Sequence, residues 1–273
     1  YSDVCTAMRS ADIVINAAAL KQVPTCEYFP EQALLTNCVG AANIVRAIGE
    51  NGYPVETVVG VSTDKACKPV NVMGMTKAVQ ERIFISANIL NPATRFICVR
   101  YGNVLASRGS VVPLFLEQIR DGGPVTLTVP EMTRFLLSLD EAVDTVFTAL
   151  CEAKRGETYV PRAPAATVQN IARALIGKRK VPIKVFGIRP GEKMHEILIS
   201  EEEVNHCERR GGYYAILSML PELRRGSAKA KNALRKEFSS GDSVLSLKAT
   251  ADLLRRHRLM PEDNPLAQAE LLR

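Results

Sequence analysis

A short stretch of the sequence combines hydroxyl, carboxylate and ammonium groups that could together transfer protons. Ser62, Thr63 and Asp64 follow an apolar run, Lys65 comes directly after them, and Lys77 lies in the next apolar-rich stretch. Such groups can donate and remove protons once burial and a neighbouring charge tune each pKa. The stretch therefore indicates acid–base chemistry in one cleft.

The same residues also have a purely structural interpretation, which the residue types alone leave open. Ser, Thr and Asp are typical of turns and helix caps, so residues 62–64 could simply end a strand. Lys65 and Lys77 would then be solvated surface side chains.

Alternating strands and helices would hold this stretch at the edge of a parallel sheet. The sequence predicts helices over 3–11, 30–50 (ended by Gly52) and 72–90, a buried strand over 13–19, and strands over 57–63 and 94–102. This alternation indicates βαβ units in a Rossmann-like, doubly wound α/β sheet. Ligands of such sheets bind beyond the carboxyl ends of the strands, where residues 62–64 fall.

The pattern changes after Gly109, where short elements, frequent Pro and Gly, and a helix over 140–153 indicate a smaller mixed α/β lobe. We predict a dinucleotide-binding domain over 1–108 with parts of 109–200. A substrate-binding lobe and C-terminal extension would take most of 109–273, interleaved with the first domain. No Gly-rich turn stands near Tyr1, so we expect the N-terminal strands of the sheet to be missing from this sequence.

The composition fits a folded protein and excludes several kinds of site. The chain has 273 residues, of which 47% are apolar, and it shows no signal peptide or long uncharged apolar run, so we expect a cytoplasmic protein without a membrane contact. The net charge of +6 comes from scattered residues, which suits an acidic diphosphate substrate better than nucleic acid. No CxxC pair or metal-ligand spacing is present, so we predict reduced thiols and no metal.

Ordered blocks of the sequence resemble one known family. They are 17–24 (AAALKQVP), 36–40 (TNCVG), 62–77 (STDKACKPVNVMGMTK), 100–115 (RYGNVLASRGSVVPLF), 132–135 (MTRF) and 189–193 (RPGEK). In type, order and spacing they are similar to the extended short-chain dehydrogenase/reductases of polysaccharide biosynthesis. Shorter blocks at 72–74, 106–109, 211–214 and 237–240 resemble the configuration-inverting UDP-N-acetylglucosamine 4,6-dehydratases of capsule and L-fucosamine synthesis.

The resemblance implies a dehydration of a UDP-sugar in four steps, with tightly bound NADP or NAD that is recycled. Hydride leaves C4 of the sugar, a base removes the C5 proton that the 4-ketone acidifies, water leaves from C6, and hydride returns to C6. Reprotonation on the opposite face inverts C5. The family also tends to form homo-oligomers.

By the same resemblance, Lys65 is the base at C5, Asp64 is the acid for the departing hydroxyl, and Thr63 binds the 4-hydroxyl of the sugar. Lys77 would hold the nicotinamide ribose and serve as the cation that lowers the pKa of Lys65. Met73 stands where the family usually has a catalytic Tyr, and a thioether cannot carry a proton. Core packing and a positive role are both open for Met73. The acceptor of the 4-hydroxyl proton stays open between Asp64, Lys65 and water.

Further binding residues follow from the resemblance. The cofactor-binding set is Ala17, Ala18, Ala19, Lys21, Asn37, Ser62, Lys77, Tyr101, Asn103 and Val104. The substrate-binding set is Lys21, Asn103, Arg108, Arg134, Arg189 and Glu192, with Arg134 and Arg189 on the diphosphate and Glu192 on ribose hydroxyls. For each arginine taken alone, an ordinary surface salt bridge is the alternative.

Two other functions remain open. A UDP-hexose 4-epimerase would share the fold but return the hydride to C4, so it needs no acid and base aimed at C6 and C5. The adjacent Asp64 and Lys65 therefore favour dehydration. A non-catalytic homologue that binds a nucleotide sugar would have no need of these residues. The choice between NAD and NADP, the C5 stereochemistry and the C2 substituent of the sugar also stay open.

Overall fold

The computed structural model describes residues 1–107, 109–224 and 233–263 of an α/β fold. Its α-helices are α1 (Ser2–Met8), α2 (Val23–Tyr28), α3 (Pro30–Leu34), α4 (Gly40–Asn51), α5 (Val72–Leu90), α6 (Val111–Arg120), α7 (Leu139–Glu152), α8 (Val168–Ile176), α9 (Glu201–Val204) and α10 (Leu247–Arg256). Its strands are β1 (Ile13–Asn16), β2 (Thr57–Thr63), β3 (Arg95–Tyr101), β4 (Asn103–Val104), β5 (Val125–Leu127), β6 (Thr133–Leu137), β7 (Thr158–Pro161), β8 (Ala165–Thr167), β9 (Ile183–Val185), β10 (Ile197–Ile199), β11 (Cys207–Arg210), β12 (Tyr213–Ile216) and β13 (Phe238–Ser239).

The chain divides into two compact units that alternate along the sequence. The first unit contains Tyr1–Tyr101, Val143–Arg162 and the described part of Ile197–Phe238. The second contains Gly102–Ala142, Ala163–Glu196 and the described part of Ser239–Arg273. The assignment of cofactor binding to one unit and substrate binding to the other stays a prediction.

The first unit is built on a six-stranded sheet in the order β1-β2-β3-β7-β12-β11. β1, β2, β3 and β7 run parallel, whereas β12 is antiparallel to both β7 and β11. Parallel strands joined through helices are the arrangement expected for a Rossmann-like sheet, so this part of the fold prediction is confirmed.

Both faces of this sheet are covered, because successive strand residues point to opposite sides. On one face, Val58 and Phe96 pack with residues of α4 and α5 in one apolar cluster. On the other face, Val59 and Ile97 pack with Ala149 of α7. Helices on both faces explain why β2 and β3 have continuous apolar sequences.

The prediction of a fully buried strand over 13–19 is wrong in length and in burial. β1 covers only Ile13–Asn16, and Ile13 and Ile15 are 46% and 47% exposed. Within the described residues β1 pairs with β2 alone. Val14 packs against the cluster that contains α4, while Ile13 and Ile15 on the opposite face of β1 are about half exposed.

The predicted helix over 30–50 is present but interrupted. α3 is followed by a π-helical turn over Leu35–Val39, and α4 then continues to Asn51. Gly52 ends α4 as predicted, with φ of 61° and its N–H bonded to the carbonyl of Ile48. The predicted elements over 57–63, 72–90, 94–102 and 140–153 are confirmed as β2, α5, β3 and α7.

The second unit has a separate core. A three-stranded sheet in the order β4-β6-β8 and a two-stranded sheet of β5 and β9 accompany α6, α8 and α10. Phe115 of α6, Ile171 and Leu175 of α8, and Leu254 of α10 belong to one buried cluster. The unit is thus a mixed α/β body with its own hydrophobic interior.

Within the described ranges, every helix is too short or too polar to cross a lipid bilayer.

Candidate active site

The carboxyl ends of three parallel strands meet at one edge of the first unit's sheet. β1 ends at Asn16, β2 at Thr63 and β3 at Tyr101, and Thr63 lies beside Tyr101 in the register of β2 and β3. The predicted residues 17–19 follow β1 directly, and 17 and 18 are exposed. In sheets of this kind ligands bind outside the carboxyl ends of the strands, so this edge is the candidate active site.

Thr63 caps the short turn that carries the predicted acid and base. A single 3₁₀ turn covers Asp64–Ala66, and Thr63 Oγ1 accepts the N–H of Lys65 at 3.3 Å. The same hydroxyl donates to Asp64 Oδ1 at 2.9 Å. The capping interpretation of Thr63 is therefore correct, and the cap also contacts the carboxylate.

Asp64 and Lys65 form a close pair. Asp64 is fully buried, and its Oδ1 lies 3.1 Å from Lys65 Nζ, which is only partly exposed. Two buried oxygens at this edge, Asp64 Oδ2 and Ser62 Oγ, have no hydrogen-bond partner within the described residues. Because buried polar atoms are normally paired, these two oxygens suit a ligand that brings its own donors or acceptors.

Lys77 is buried rather than solvated, which contradicts the surface interpretation. Its Nζ donates to the carbonyl of Val61 at 2.5 Å and to Gln80 Oε1 at 2.7 Å. Burial lowers the pKa of Lys77 from 10.5 to about 8, against the opposing influence of Cys98, Glu81 and Cys38. The hydrogen bonds of Lys77 go to these two groups and not to Lys65, so its predicted influence on Lys65 remains a prediction.

The first turn of α5 packs directly against the turn that carries Asp64 and Lys65. Asn71 caps this helix by accepting the N–H of Gly74 at 2.8 Å. A Cβ at Gly74 would overlap the carbonyl oxygen of Lys65, so only glycine permits this approach. Sequence reasoning missed both roles, although Asn three residues before the capped N–H is a known N-cap signal.

Met73 packs in a small apolar cluster. Its side chain is buried with Cys26 and Ala33, and the partly buried Leu20 and Val23 lie against them. These contacts support core packing for Met73, which lies one helical turn before Lys77.

Asn37 uses its side chain within the protein. Its Oδ1 accepts the N–H of Leu20 at 2.8 Å, and its Nδ2 donates to the Leu20 carbonyl at 3.1 Å and to Thr76 Oγ1 at 2.9 Å. Asn37 is fully buried. It therefore holds the backbone that follows residues 17–19, and any effect on a cofactor would act through that backbone.

The predicted site residues fall into both units. The first unit holds Ala17, Ala18, Ala19, Lys21, Asn37, Ser62, Thr63, Asp64, Lys65, Met73, Lys77 and Tyr101. The second holds Asn103, Val104, Arg134, Arg189 and Glu192, and Arg108 lies outside the described residues. Tyr101 packs against the apolar cluster on the α7 face, and burial raises its pKa.

Arg134 is largely committed to internal partners. Its Nη1 donates to the carbonyls of Thr133 at 2.7 Å and Lys193 at 3.1 Å, and its Nη2 contacts Met132 Sδ at 2.7 Å. Its Nε lies 3.9 Å from the buried carboxylate of Glu196. By contrast Arg189 is exposed, and its backbone N–H donates to Glu192 at 3.3 Å.

A buried charge cluster in the first unit was not predicted. Arg100 on β3 donates to both oxygens of Glu81 at 3.0 and 2.6 Å, and to both oxygens of Glu203 at 2.8 and 2.9 Å. Burial by itself raises the pKa of Glu203, but Arg100 brings it below its ordinary value. The cluster joins α5, β3 and α9.

Within the described ranges, no His, Cys, Asp and Glu side chains converge as a metal site would require.

Comparisons with known proteins identify a family and several relatives. The sequence model of the polysaccharide biosynthesis protein family matches residues 1–218. A UDP-glucose 4-epimerase of Rickettsia typhi is 42% identical over 263 residues, which are 93% of this chain and 76% of the relative. The UDP-glucose 4-epimerase of Rickettsia akari is 46% identical over 220 residues, which are 79% of this chain but only 64% of the relative.

Solved structures show the same fold. Pen from Bacillus thuringiensis is 33% identical with a TM-score of 0.87 over 95% of this chain and 80% of Pen. DesIV, a dTDP-glucose 4,6-dehydratase from Streptomyces venezuelae solved with NAD and TYD, is 17% identical with a TM-score of 0.65 over 71% of this chain and 66% of DesIV. Because the family model covers most of the sequence, the chain belongs to the polysaccharide biosynthesis protein family, within the nucleotide-sugar dehydratase and epimerase class of enzymes.

Proposed function

We propose that this protein is a nucleotide-sugar 4,6-dehydratase that acts on UDP-N-acetylglucosamine, with inversion at C5, for surface polysaccharide synthesis. The observation that carries the proposal is the pair of Asp64 and Lys65 at the carboxyl edge of the sheet, with Oδ1 and Nζ 3.1 Å apart. Elimination of water across C5 and C6 needs one base and one acid, and this pair offers both.

A single proton is enough for the two roles. If it moves from Lys65 Nζ to Asp64 Oδ1, the ion pair becomes a neutral amine and a protonated carboxyl, with no change in net charge. The amine then takes the C5 proton while the carboxyl protonates the leaving hydroxyl, and the ion pair is restored.

The residues at this edge also fit a nicotinamide cofactor. The buried oxygens of Ser62 and Asp64 that have no partner in the described part of the chain suit a polar ligand, and the ammonium of Lys77 donates to the backbone of β2 one residue before Ser62. Bound NAD or NADP would supply the reversible hydride transfer at C4 and C6. DesIV and a UDP-glucuronic acid 4-epimerase from Bacillus cereus were both solved with NAD.

The wider assignments belong to the same proposal. The first unit would hold the cofactor, and Arg189 and Glu192 of the second would contact the nucleotide of the UDP-sugar. A homo-oligomeric enzyme in the cytoplasm is the expected form.

UDP-hexose 4-epimerase is the second candidate, and the names of the Rickettsia relatives favour it. An epimerase returns the hydride to C4 and keeps the C6 hydroxyl. It therefore has no use for an acid that protonates a leaving group, which is the role that Asp64 would fill.

Proton NMR of the purified protein with UDP-N-acetylglucosamine and NAD or NADP in deuterated water separates these functions. We expect a new C6 methyl signal and deuterium at C5, with couplings that report an inverted product. An N-acetylgalactosamine product without a methyl signal would establish the epimerase instead.

Asp64→Asn tests the acid directly. The amide keeps the size of the side chain but cannot release a proton, so methyl formation should fall by about 100-fold or more. Asp121→Asn, at an exposed position beside Arg120, is the matched control. If the Asp64→Asn variant is folded and forms the methyl product at the rate of the unmodified enzyme, the acid assignment is wrong.

A further inference from the structure

A chain of hydrogen bonds in the second unit ends at an exposed imidazole. Thr133 Oγ1 lies 2.8 Å from His195 Nδ1 and 2.6 Å from Ser240 Oγ. Ser240 is fully buried and Thr133 nearly so, whereas His195 is exposed. Over the part of the chain that the structure describes, the other ring nitrogen, Nε2, contacts no hydrogen-bonding group.

The position of the ring is constrained from its other sides as well. A Cβ at Gly241 would lie 3.1 Å from His195 Cγ and Nδ1, so the ring lies directly against this backbone. The N–H of Glu196, the next residue, donates to Ser240 Oγ at 2.9 Å. The imidazole can therefore turn little about its bond to the chain.

The direction of these hydrogen bonds decides which ring nitrogen of His195 carries the proton. Glu196 N–H occupies one acceptor position of Ser240. If Ser240 donates to Thr133 Oγ1 and Thr133 donates to His195 Nδ1, the neutral imidazole carries its proton on Nε2. The reverse direction ends with Ser240 Oγ donating to the Thr133 carbonyl at 3.3 Å. In the first arrangement, and in the imidazolium form, Nε2 presents an N–H away from the buried hydroxyls.

Thr133 also accepts a hydrogen bond from a charged side chain, the guanidinium of Arg134. Arg134 Nη1 donates to the carbonyl of Thr133, while the hydroxyl of Thr133 binds His195. Thr133 thus anchors a guanidinium through its backbone and an imidazole through its side chain. The guanidinium itself lies 3.9 Å from the buried carboxylate of Glu196, so the donor Nε2–H is the group that an anionic oxygen would bind.

The buried hydroxyls of Thr133 and Ser240 link the backbone N–H of Glu196 to the exposed imidazole of His195 and so orient its ring. A hydrogen bond to one ring nitrogen of a histidine normally orients the other ring nitrogen towards a ligand or a proton. We propose that His195 donates from Nε2 to a phosphate oxygen of a nucleoside diphosphate, and that Thr133 and Ser240 are its positioning residues. The inference rests on the proposed function, because the diphosphate would be that of the UDP-sugar. Arg134, whose donors are used internally, braces the site.

Calorimetric titration of the cofactor-loaded protein with UDP tests this. His195→Ala should weaken UDP binding by about 10-fold or more, since a hydrogen bond to a charged group is lost. His195→Gln, whose amide can place a donor near the Nε2 position, should recover part of the affinity. His257→Ala, on a histidine at the end of α10 in the same unit, is the matched control and should bind UDP normally.

The positioning residues give a second readout. Thr133→Val keeps the shape of the side chain and should weaken UDP binding less than His195→Ala does. The double variant with Thr133→Val and His195→Ala should bind UDP no more weakly than the His195→Ala variant, because both substitutions remove the same interaction. Equal UDP affinity in the His195→Ala variant and the unmodified protein, or additive losses in the double variant, would overturn the inference.

These outcomes are independent of turnover. The expected UDP affinities without any methyl product would defeat the dehydratase proposal and leave the role of His195 intact. If the His195→Ala variant forms the methyl product with an unchanged KM, the dehydratase proposal stands and the proposed role of His195 is wrong.

Discussion

The buried ammonium of Lys77 should make the folded state less stable at neutral pH than an apolar side chain would. Its pKa is lowered from 10.5 to about 8, chiefly by burial. For a lysine, a folded pKa below the unfolded value is a cost that is present below about pH 8 and disappears as the pH rises towards 10.5. The difference between the two values corresponds to about 3 kcal/mol.

Lys77→Met removes this cost and one pair of hydrogen bonds. Val61 O keeps a donor, because Gln80 Nε2 also reaches it at 3.3 Å. Gln80 Oε1 loses its donor, which costs about 1–3 kcal/mol. At pH 7 we therefore expect the variant to be as stable as the unmodified protein or up to about 2 kcal/mol more stable, and inactive.

The sharper test is the pH dependence of the difference between the two proteins. The unfolded state binds more protons at Lys77 between the two pKa values, so the stability of the unmodified protein rises there and that of the Lys77→Met variant does not. Between pH 7 and pH 10 the unmodified protein should gain about 2.5 kcal/mol relative to the variant. Titrating groups that do not interact with Lys77 cancel in this comparison.

Denaturant unfolding followed by circular dichroism at both pH values measures the effect. Lys248→Met, which replaces an exposed lysine on α10, controls for the loss of a lysine as such. A constant difference in unfolding free energy between the Lys77→Met variant and the unmodified protein would refute the reasoning, because it would mean that Lys77 is not desolvated.

Two further substitutions test the packing around the site. Gly74→Ala forces a methyl group against the Lys65 carbonyl, so we expect a loss of about 1–3 kcal/mol in unfolding free energy and a fall in methyl product by NMR. Gly123→Ala, at an open position, should change neither. Glu203→Gln removes one buried carboxylate from Arg100 and should cost about 3 kcal/mol in denaturant unfolding. A loss below about 0.5 kcal/mol would show that Arg100 does not depend on this partner.

The core elements of the first unit could be predicted because local patterns determine them. β2 and β3 are continuous apolar runs, and α5 starts after Asn71 and is long enough to be recognised. The burial of β1 could not be predicted in this way. Its sequence is as apolar as that of β2, yet Ile13 and Ile15 lie on the face opposite the α4 cluster and are about half exposed.

The site could be predicted only where its contacts are short in sequence. Asp64 and Lys65 are adjacent, so their pairing follows from the turn. Arg100 meets Glu203 across a sequence separation of 103 residues, and the contact of Thr133 with Ser240 spans 107. Nothing local in the sequence marks such contacts. The same limit applies to Arg134, which donates to the carbonyl of Lys193, a residue distant in sequence. This internal hydrogen bond leaves less of the guanidinium available for a diphosphate.

The Arg100 cluster and Asp64, both buried charged groups of the first unit, differ in whether their hydrogen bonds are complete. Arg100 satisfies both oxygens of Glu81 and both of Glu203, so this cluster is complete without a ligand. Asp64 is as deeply buried, yet its Oδ2 has no hydrogen-bond partner among the described residues. A buried ion pair adds little net stability even when complete, and an incomplete one is worse. The Arg100 cluster therefore needs no ligand to satisfy its groups, whereas the unpaired oxygen of Asp64 suits a substrate or cofactor that brings a donor.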